Sequence, residues 1–75
     1  MTIEPSADIR ADIEKRILGL ESEVWWSRQD RAYIAYSIEF PACISSDGWS
    51  SLAAVNKLED RVRQSLIAES TRTAA

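Results

Sequence analysis

The chain lacks histidine and has only one cysteine, two glycines and two prolines among its 75 residues. Without histidine, the usual Ser-His and Cys-His nucleophiles cannot form, and with one cysteine a zinc site of ordinary composition is excluded. The lone cysteine, Cys43, has no disulfide partner within the chain, and we expect it to be buried and inert. These scarcities predict a protein that is not an enzyme and that uses no metal or other cofactor.

Long apolar runs and excess positive charge are also missing. No run approaches the roughly 20 apolar residues of a membrane-spanning helix. The net charge of −3 gives no basic footprint for nucleic acid, so we do not expect nucleic-acid binding on electrostatic grounds. The first ten residues are polar and acidic, which is not typical of a secretory signal. With a lone thiol, these features predict a cytoplasmic protein without membrane contact.

The length of the chain predicts a single domain over residues 1–75, with an ordered core at about 6–69. A domain of this size buries only a modest core and often gains stability from oligomerisation, metals or disulfides. Because disulfides and zinc are excluded, we expect self-association or a protein partner.

The apolar pattern predicts an α+β fold of the order αβββα. A first helix at about 7–20, with Ser6 as its N-cap, shows apolar residues every three or four positions. Strands are predicted at about 23–28 and 32–39, and a short third strand at about 42–45. A turn at 46–48 leads into a second helix at about 50–68, whose inner stripe is expected to begin at Leu52. The expected architecture is an N-terminal helix, a small antiparallel sheet of two to three strands, and a C-terminal helix.

The segment RAYIAYSIEF, residues 31–40, alternates strictly between the two sides of a strand. One side is strongly apolar and consists of Ile34, Tyr36, Ile38 and Phe40. The other side is flat and lightly polar and carries Tyr33, Ala35, Ser37 and Glu39. We expect the apolar side to pack on the second helix. The lightly polar side is then either open to a partner or covered by the first helix.

The tryptophans Trp25 and Trp26 are neighbours in the first predicted strand, so their rings point to opposite faces of the sheet. One core can accept only one of them, and tryptophan and tyrosine are favoured anchors at protein interfaces. The predicted partner-binding residues are Trp25, Trp26, Tyr33 and Ser37. We expect self-association or partner binding through the face that carries Tyr33 or through the hairpin edge, with one of the two tryptophans in the contact. The alternative is that the first helix covers the second face, so that both tryptophans are core residues of a three-layer domain.

Residues 33–45, YIAYSIEFPACIS, and 52–59, LAAVNKLE, resemble a segment of the HicB-like antitoxin family. The family pattern is G-Y-x-A-x-x-P-x-L-P-G-C-x-S-x-G-D-T-x-E-E-A-x-x-N-x-x-E-A. Positions that match without a gap are Tyr33, Ala35, Pro41, Cys43, Ser45, Ala53, Asn56 and Glu59. Trp49 replaces the threonine that caps the helix in the family, so we expect Ser50 to cap it instead.

The resemblance covers about residues 24–63 and implies a partial ribonuclease-H-like fold, in which a small antiparallel sheet packs on one helix. It implies a non-enzymatic protein of a bacterial or phage cytoplasm, which binds and neutralises a partner such as a small toxin ribonuclease. Family members often repress their own operon through an appended DNA-binding region. No such pattern is recognised after residue 70, so a repressor role is not expected.

Three other functions stay open. A domain of this kind also suits a phage-type inhibitor of a host protein complex. Aromatic and basic residues of the predicted hairpin, among them Trp25, Trp26 and Arg28, can stack on single-stranded bases. A hydrolase that retains ribonuclease-H-like chemistry would use Asp30 and Glu39 as paired acids. Turn residues and a solvated strand position are the simpler interpretation of those carboxylates.

Overall fold

The computed structural model describes residues 7–73 of the chain. It consists of helix α1 (Ala7–Leu18), strands β1 (Ser22–Ser27), β2 (Ala32–Ser37) and β3 (Ser45–Asp47), and helix α2 (Ser51–Thr73). The α+β class and the order αβββα predicted from the sequence are confirmed. The predicted N-cap of the first helix, Ser6, lies outside the described residues. Neither helix is apolar enough over a sufficient length to cross a lipid bilayer, as far as residues 7–73 are concerned.

The three strands form one antiparallel sheet in the order β1-β2-β3. β1 and β2 pair one to one over six residues, from Ser22 opposite Ser37 to Ser27 opposite Ala32. β3 is only three residues long, all of them paired with β2, and it begins later than the predicted third strand. The chain turns first, because the Phe40 N–H donates to the Ser37 carbonyl and the Cys43 N–H to the Phe40 carbonyl.

The hairpin loop between β1 and β2 is held by Ser27 and Asp30. The Ser27 hydroxyl donates to Asp30 Oδ2 at 3.0 Å and accepts a hydrogen bond from the Asp30 N–H at 3.2 Å. Arg31 then adopts a φ of 52°, a left-handed conformation that is uncommon for a residue other than glycine. The loop thereby returns the chain to pair with β1.

Helix α2 lies over all three strands on one face of the sheet. Its buried stripe recurs every four residues and consists of Ala54, Leu58, Val62 and Leu66. The predicted stripe began at Leu52, which is exposed. The predicted cap is confirmed, because Ser50 Oγ accepts a hydrogen bond from the Ala53 N–H at 3.1 Å.

Helix α1 packs against α2 and, within the described residues, contacts none of the strands. Its side chains Ile13 and Ile17 are buried in the same core as Leu66 of α2. Two hydrogen bonds, of 2.6 and 3.1 Å, join Arg63 of α2 to the Glu14 carboxylate of α1. The alternative in which the first helix covers the second face of the sheet is therefore excluded, because α1 contacts none of the described strands.

The sheet face that packs under α2 is the lightly polar one. Ala35 is completely buried, Ser37 is 2% exposed, and Tyr33 packs against the core. The prediction that the side carrying Ile34 packs on the second helix is wrong, and so is the prediction that the side carrying Tyr33 and Ser37 is open. Small side chains allow α2 to approach the sheet closely. The Ser37 hydroxyl is satisfied at the same time, since it donates to the Glu21 carbonyl at 2.7 Å.

Two side chains near the end of β2 depart from the strand pattern. Phe40 packs against the core although Ile34 and Ile38 do not, because the chain turns after Ser37 and the alternation stops there. The Arg16 guanidinium of α1 lies over the Phe40 ring, 5.4 Å from its centroid. Cys43 also packs against the core, but it is only partly buried, so the prediction of full burial is wrong.

Candidate protein-binding surface

The side of the sheet that faces away from α2 carries a set of apolar and aromatic side chains, which we name the open face. It consists of Glu23, Trp25, Ile34 and Tyr36, together with Ile38, which follows the end of β2 and lines one cleft with Glu23 and Tyr36. Trp25 lies directly opposite Ile34, and Glu23 lies directly opposite Tyr36. Because opposite residues of an antiparallel pair share a face, these side chains are neighbours on one surface.

The open face retains much of its accessible surface. Trp25 is 51% exposed and Ile38 is 79% exposed, whereas Ile34 and Tyr36 are partly buried by their neighbours. No helix of the described residues lies over this side, because α2 covers the opposite face and α1 contacts none of the strands. An exposed group of large apolar side chains on a small domain typically marks an interaction site.

One end of the open face is ordered by a hydrogen bond between Tyr36 and Glu23. The Tyr36 hydroxyl donates to the Glu23 carboxylate at 2.6 Å. This hydrogen bond, together with the negative charge of the carboxylate, raises the pKa of the Tyr36 phenol above its ordinary value. The phenol therefore stays protonated at neutral pH, and its ring is held across the two strands beside Ile38.

The two adjacent tryptophans lie on opposite faces, as predicted. Trp25 belongs to the open face, whereas Trp26 lies on the α2 side opposite Tyr33. The rings of Trp26 and Tyr33 meet edge to face, with centroids 4.9 Å apart and an interplanar angle of 67°. Trp26 nevertheless remains 45% exposed, since β1 is an edge strand and α2 lies mainly over β2 and β3.

The four predicted partner-binding residues are thus not brought together on one surface. Trp25 and Trp26 are exposed on opposite sides of β1, and Tyr33 is partly buried beside the core. Ser37 is buried beneath α2, so its predicted place on an exposed surface is wrong. Its hydroxyl instead donates a hydrogen bond to the backbone carbonyl of Glu21.

Three residues of the open face were missed by the sequence reasoning, which placed Ile34, Tyr36 and Ile38 in the core because of their size. Two signals favour the observed orientation. Alanine and serine at positions 35 and 37 suit close contact with a helix. The register also places the charged Glu23 on the same face as Tyr36, and a charged side chain is rarely buried without a partner.

A separate exposed group lies where β3 leads into α2. Trp49 is 94% exposed, and its backbone N–H donates to Asp47 Oδ2 at 2.9 Å. The same carboxylate accepts hydrogen bonds from the Ser50 N–H and from Lys57 Nζ. These donors, with the Trp49 N–H foremost, hold the pKa of Asp47 below its ordinary value. The Asp47 carboxylate therefore holds the backbone between β3 and α2 in place.

The carboxylates considered for catalysis have separate structural partners. Asp30 is bound to Ser27 in the hairpin loop, and Glu39 accepts a hydrogen bond from the Glu21 N–H at 3.3 Å. Over residues 7–73, no group of three His, Cys, Asp or Glu side chains is arranged to hold a metal ion. The chain matches no protein-family model, no curated protein and no solved structure. Functional reasoning therefore proceeds from the geometry of the open face and from the sequence resemblance.

Proposed function

We propose that this chain is a small non-enzymatic regulator that binds another protein through the open face. The observation that carries the proposal is the side of the sheet left uncovered by both helices, where Trp25, Ile34 and Ile38 are accessible. Aromatic and aliphatic side chains on a rigid strand pair make effective anchors, because little conformational freedom is lost when they are covered.

The charge around the open face indicates what kind of partner it suits. The exposed carboxylates of Glu21, Glu23 and Glu39 lie at the end of the sheet that carries Ile38. An apolar surface that is acidic at one end complements a partner whose own apolar patch has a basic border there. A protein that cleaves RNA has such a basic surface, because it must hold the phosphate backbone.

The resemblance to HicB-like antitoxins supports the same partner class. We propose that the chain neutralises or modulates a small toxin ribonuclease in the cytoplasm by covering its basic active surface. A phage-type inhibitor of a host protein complex would use the open face in the same way, with a different partner. The nature of the partner protein separates these two functions.

The test is neutralisation of the protein encoded by the neighbouring gene. That protein, produced alone, is expected to arrest growth and cleave RNA, and co-production with this chain is expected to restore growth and give a complex that co-purifies. Ile38→Glu is expected to abolish both effects, because it places a buried charge in the interface. Trp49→Glu is the matched control, since Trp49 is fully accessible but lies outside the open face. A neighbouring product that is harmless and does not co-purify contradicts the toxin proposal.

Binding of single-stranded nucleic acid is the second candidate, and one observation favours it. The indoles of Trp25 and Trp26 are both accessible, and exposed Arg28 and Arg31 lie in the adjoining hairpin loop. Aromatic rings beside arginines can stack on bases. Titration of the tryptophan fluorescence with oligonucleotides at two salt concentrations tests this function. Binding of single-stranded nucleic acid predicts fluorescence quenching that weakens as the salt concentration rises. The absence of quenching excludes this function.

A further inference from the structure

Strand β1 is accessible on three sides. Its Trp25 is exposed on the open face, while Val24 and Trp26 are exposed on the α2 side. β1 is also an edge of the sheet, since it pairs with β2 alone among the described strands. A strand with large apolar side chains exposed on both faces and a free backbone edge can accept a further strand.

The two edges of the sheet differ in their protection. Soluble proteins protect edge strands by shortening them, by bulges, or by proline and lysine residues. β3 is three residues long, and Lys57 Nζ binds its Ser46 carbonyl at 3.2 Å. β1 has six residues, SEVWWS, without proline or lysine, and it pairs with β2 in continuous one-to-one register. Of the two edges of the described sheet, β1 is therefore the longer and less protected one, with Glu23 as its single charged residue.

We propose that β1 pairs antiparallel with β1 of a second copy of this chain, which joins the two sheets into one continuous sheet of six strands. The two copies are related by a twofold axis perpendicular to the sheet, so α2 of each copy lies on the same side. This inference does not rest on the proposed function, because the α2 side of β1 and its backbone edge lie outside the open face.

The alternation of the strand restricts the register, and the pairing of the exposed apolar side chains with one another selects within it. Directly opposite residues of paired strands share a face, so an odd-numbered residue must lie opposite an odd-numbered one. With the twofold axis at Trp25, the two Trp25 side chains meet on the open face. On the α2 side, Val24 of each copy lies opposite Trp26 of the other. A shift that centres the axis on Glu23 would instead place two like charges opposite each other, which is destabilising.

Charge also favours an antiparallel pair over a parallel one. The exposed residues Glu21 and Glu23 lie at the start of β1, and exposed Arg28 and Arg31 lie just beyond its end. Antiparallel pairing brings the acidic start of one strand beside the basic end of the other. Parallel pairing would place like charges together at both ends.

The area available approaches that of a specific contact. An indole side chain buries about 150–250 Å² in full. Trp25 and Trp26 each retain roughly half of their surface, so the four indoles of a dimer would contribute roughly 300–500 Å². The Val24 side chains and the two strand edges, each about 20 Å long, add to this area. Together they approach the lower limit of a specific interface, about 1,200 Å² in total.

Sedimentation equilibrium between about 1 μM and 1 mM tests the proposal. The chain is expected to reach twice its monomer mass within this range, and Trp26→Glu is expected to weaken the dimer at least about tenfold, since it buries a charge against Val24 of the other copy. Trp49→Glu and Ile38→Glu are matched controls and are expected to dimerise as the unaltered chain does. A chain that stays monomeric throughout, or a folded Trp26→Glu variant that dimerises normally, overturns the proposal.

Amide hydrogen exchange gives a second test, which uses the unaltered chain and so does not depend on the folding of a variant. Exchange at outward-facing amides within residues 22–27 is expected to slow at least about tenfold on going from dilute to concentrated protein, as expected when a free edge becomes hydrogen-bonded. The amides of β3, at the protected edge, are expected to exchange at the same rate at both concentrations. Equal slowing at both edges, or none at β1, contradicts pairing through β1. Loss of toxin binding in Ile38→Glu without loss of the dimer distinguishes the two proposals.

Discussion

Arg63, in the second half of α2, binds Glu14 of α1 through hydrogen bonds from Nε at 2.6 Å and from a terminal nitrogen at 3.1 Å. The two residues are 49 positions apart in the chain, so the pair fixes one helix against the other. The bonds from Arg63 hold the pKa of the Glu14 carboxyl below its ordinary value, and the carboxylate in turn raises the pKa of Arg63.

Acid is expected to destabilise the fold through Glu14 and Asp47. Both carboxyls have lowered pKa values in the folded chain, so the unfolded chain takes up protons first as the pH falls below about 4–5. The stabilisation contributed by these two carboxylates is therefore fully present near neutral pH and is lost progressively as the pH falls below that range. Urea midpoints at pH 7 and pH 3 measure the effect. Glu14→Gln and Asp47→Asn are each expected to reduce the difference between the two midpoints.

Truncation of the centre of α2 is expected to be costly. Leu58 is completely buried between the sheet and α1, and Leu58→Ala is expected to lower the free energy of unfolding by about 2–5 kcal/mol. Leu52→Ala makes the same chemical change on the exposed side of the same helix and is expected to change stability by less than about 0.5 kcal/mol. Urea unfolding followed by circular dichroism compares the two. Equal losses of stability in the two variants would contradict the assignment of Leu58 to the buried side of α2 and of Leu52 to the exposed side.

The cap of α2 gives a second matched pair. Ser50→Ala removes the acceptor of the Ala53 N–H and is expected to cost about 1 kcal/mol. Ser51 is the first helical residue and is exposed, so Ser51→Ala is expected to be neutral or slightly stabilising, because alanine is the better helix former. Thermal unfolding at neutral pH resolves the difference, and a larger loss for Ser51→Ala would contradict the assigned cap.

The orientation of β2 is tested by one substitution on each side of the sheet. Ala35 has no free space beneath α2, so Ala35→Leu is expected to destabilise by about 1–3 kcal/mol through overpacking. Ile38→Ser on the open face is expected to change stability by less than about 0.5 kcal/mol. If the sequence-based orientation were right instead, Ile38→Ser would be the damaging change. Urea midpoints of the two variants decide between the orientations.

The elements themselves could be predicted because each has a local signal. Isoleucines at four-residue spacing predicted α1, and the alternation in 31–40 predicted β2. The cap at Ser50 was expected from the family pattern that the sequence resembles, in which Trp49 replaces the capping threonine. Such signals depend on neighbours in the chain, and they identified the order αβββα correctly. The opposite placement of the two tryptophans also followed from the strand period alone.

The side of the sheet that packs on α2 could not be predicted in the same way. Periodicity shows that β2 has two faces, but it does not show which one meets the helix. The larger side chains, Ile34 and Ile38, were assigned to the core by size, whereas the fold uses Ala35 and Ser37 to bring the helix close. The position of α1 depends on contacts with Leu66 and Arg63, far away in the chain. No local pattern contains that information.

The attachment of α1 to α2 alone has a consequence for how the molecule opens. α2 has 23 residues and so measures about 35 Å, whereas a six-residue strand spans about 20 Å, and α1 packs beside the part of α2 that carries Leu66. α1 can thus separate from α2 without the loss of any hydrogen bond between strands, and a free helix of 12 residues is marginal in water. We therefore expect the sheet with the first turns of α2 to outlast the docking of α1, and we expect amides of α1 to exchange through an opening that costs less than global unfolding.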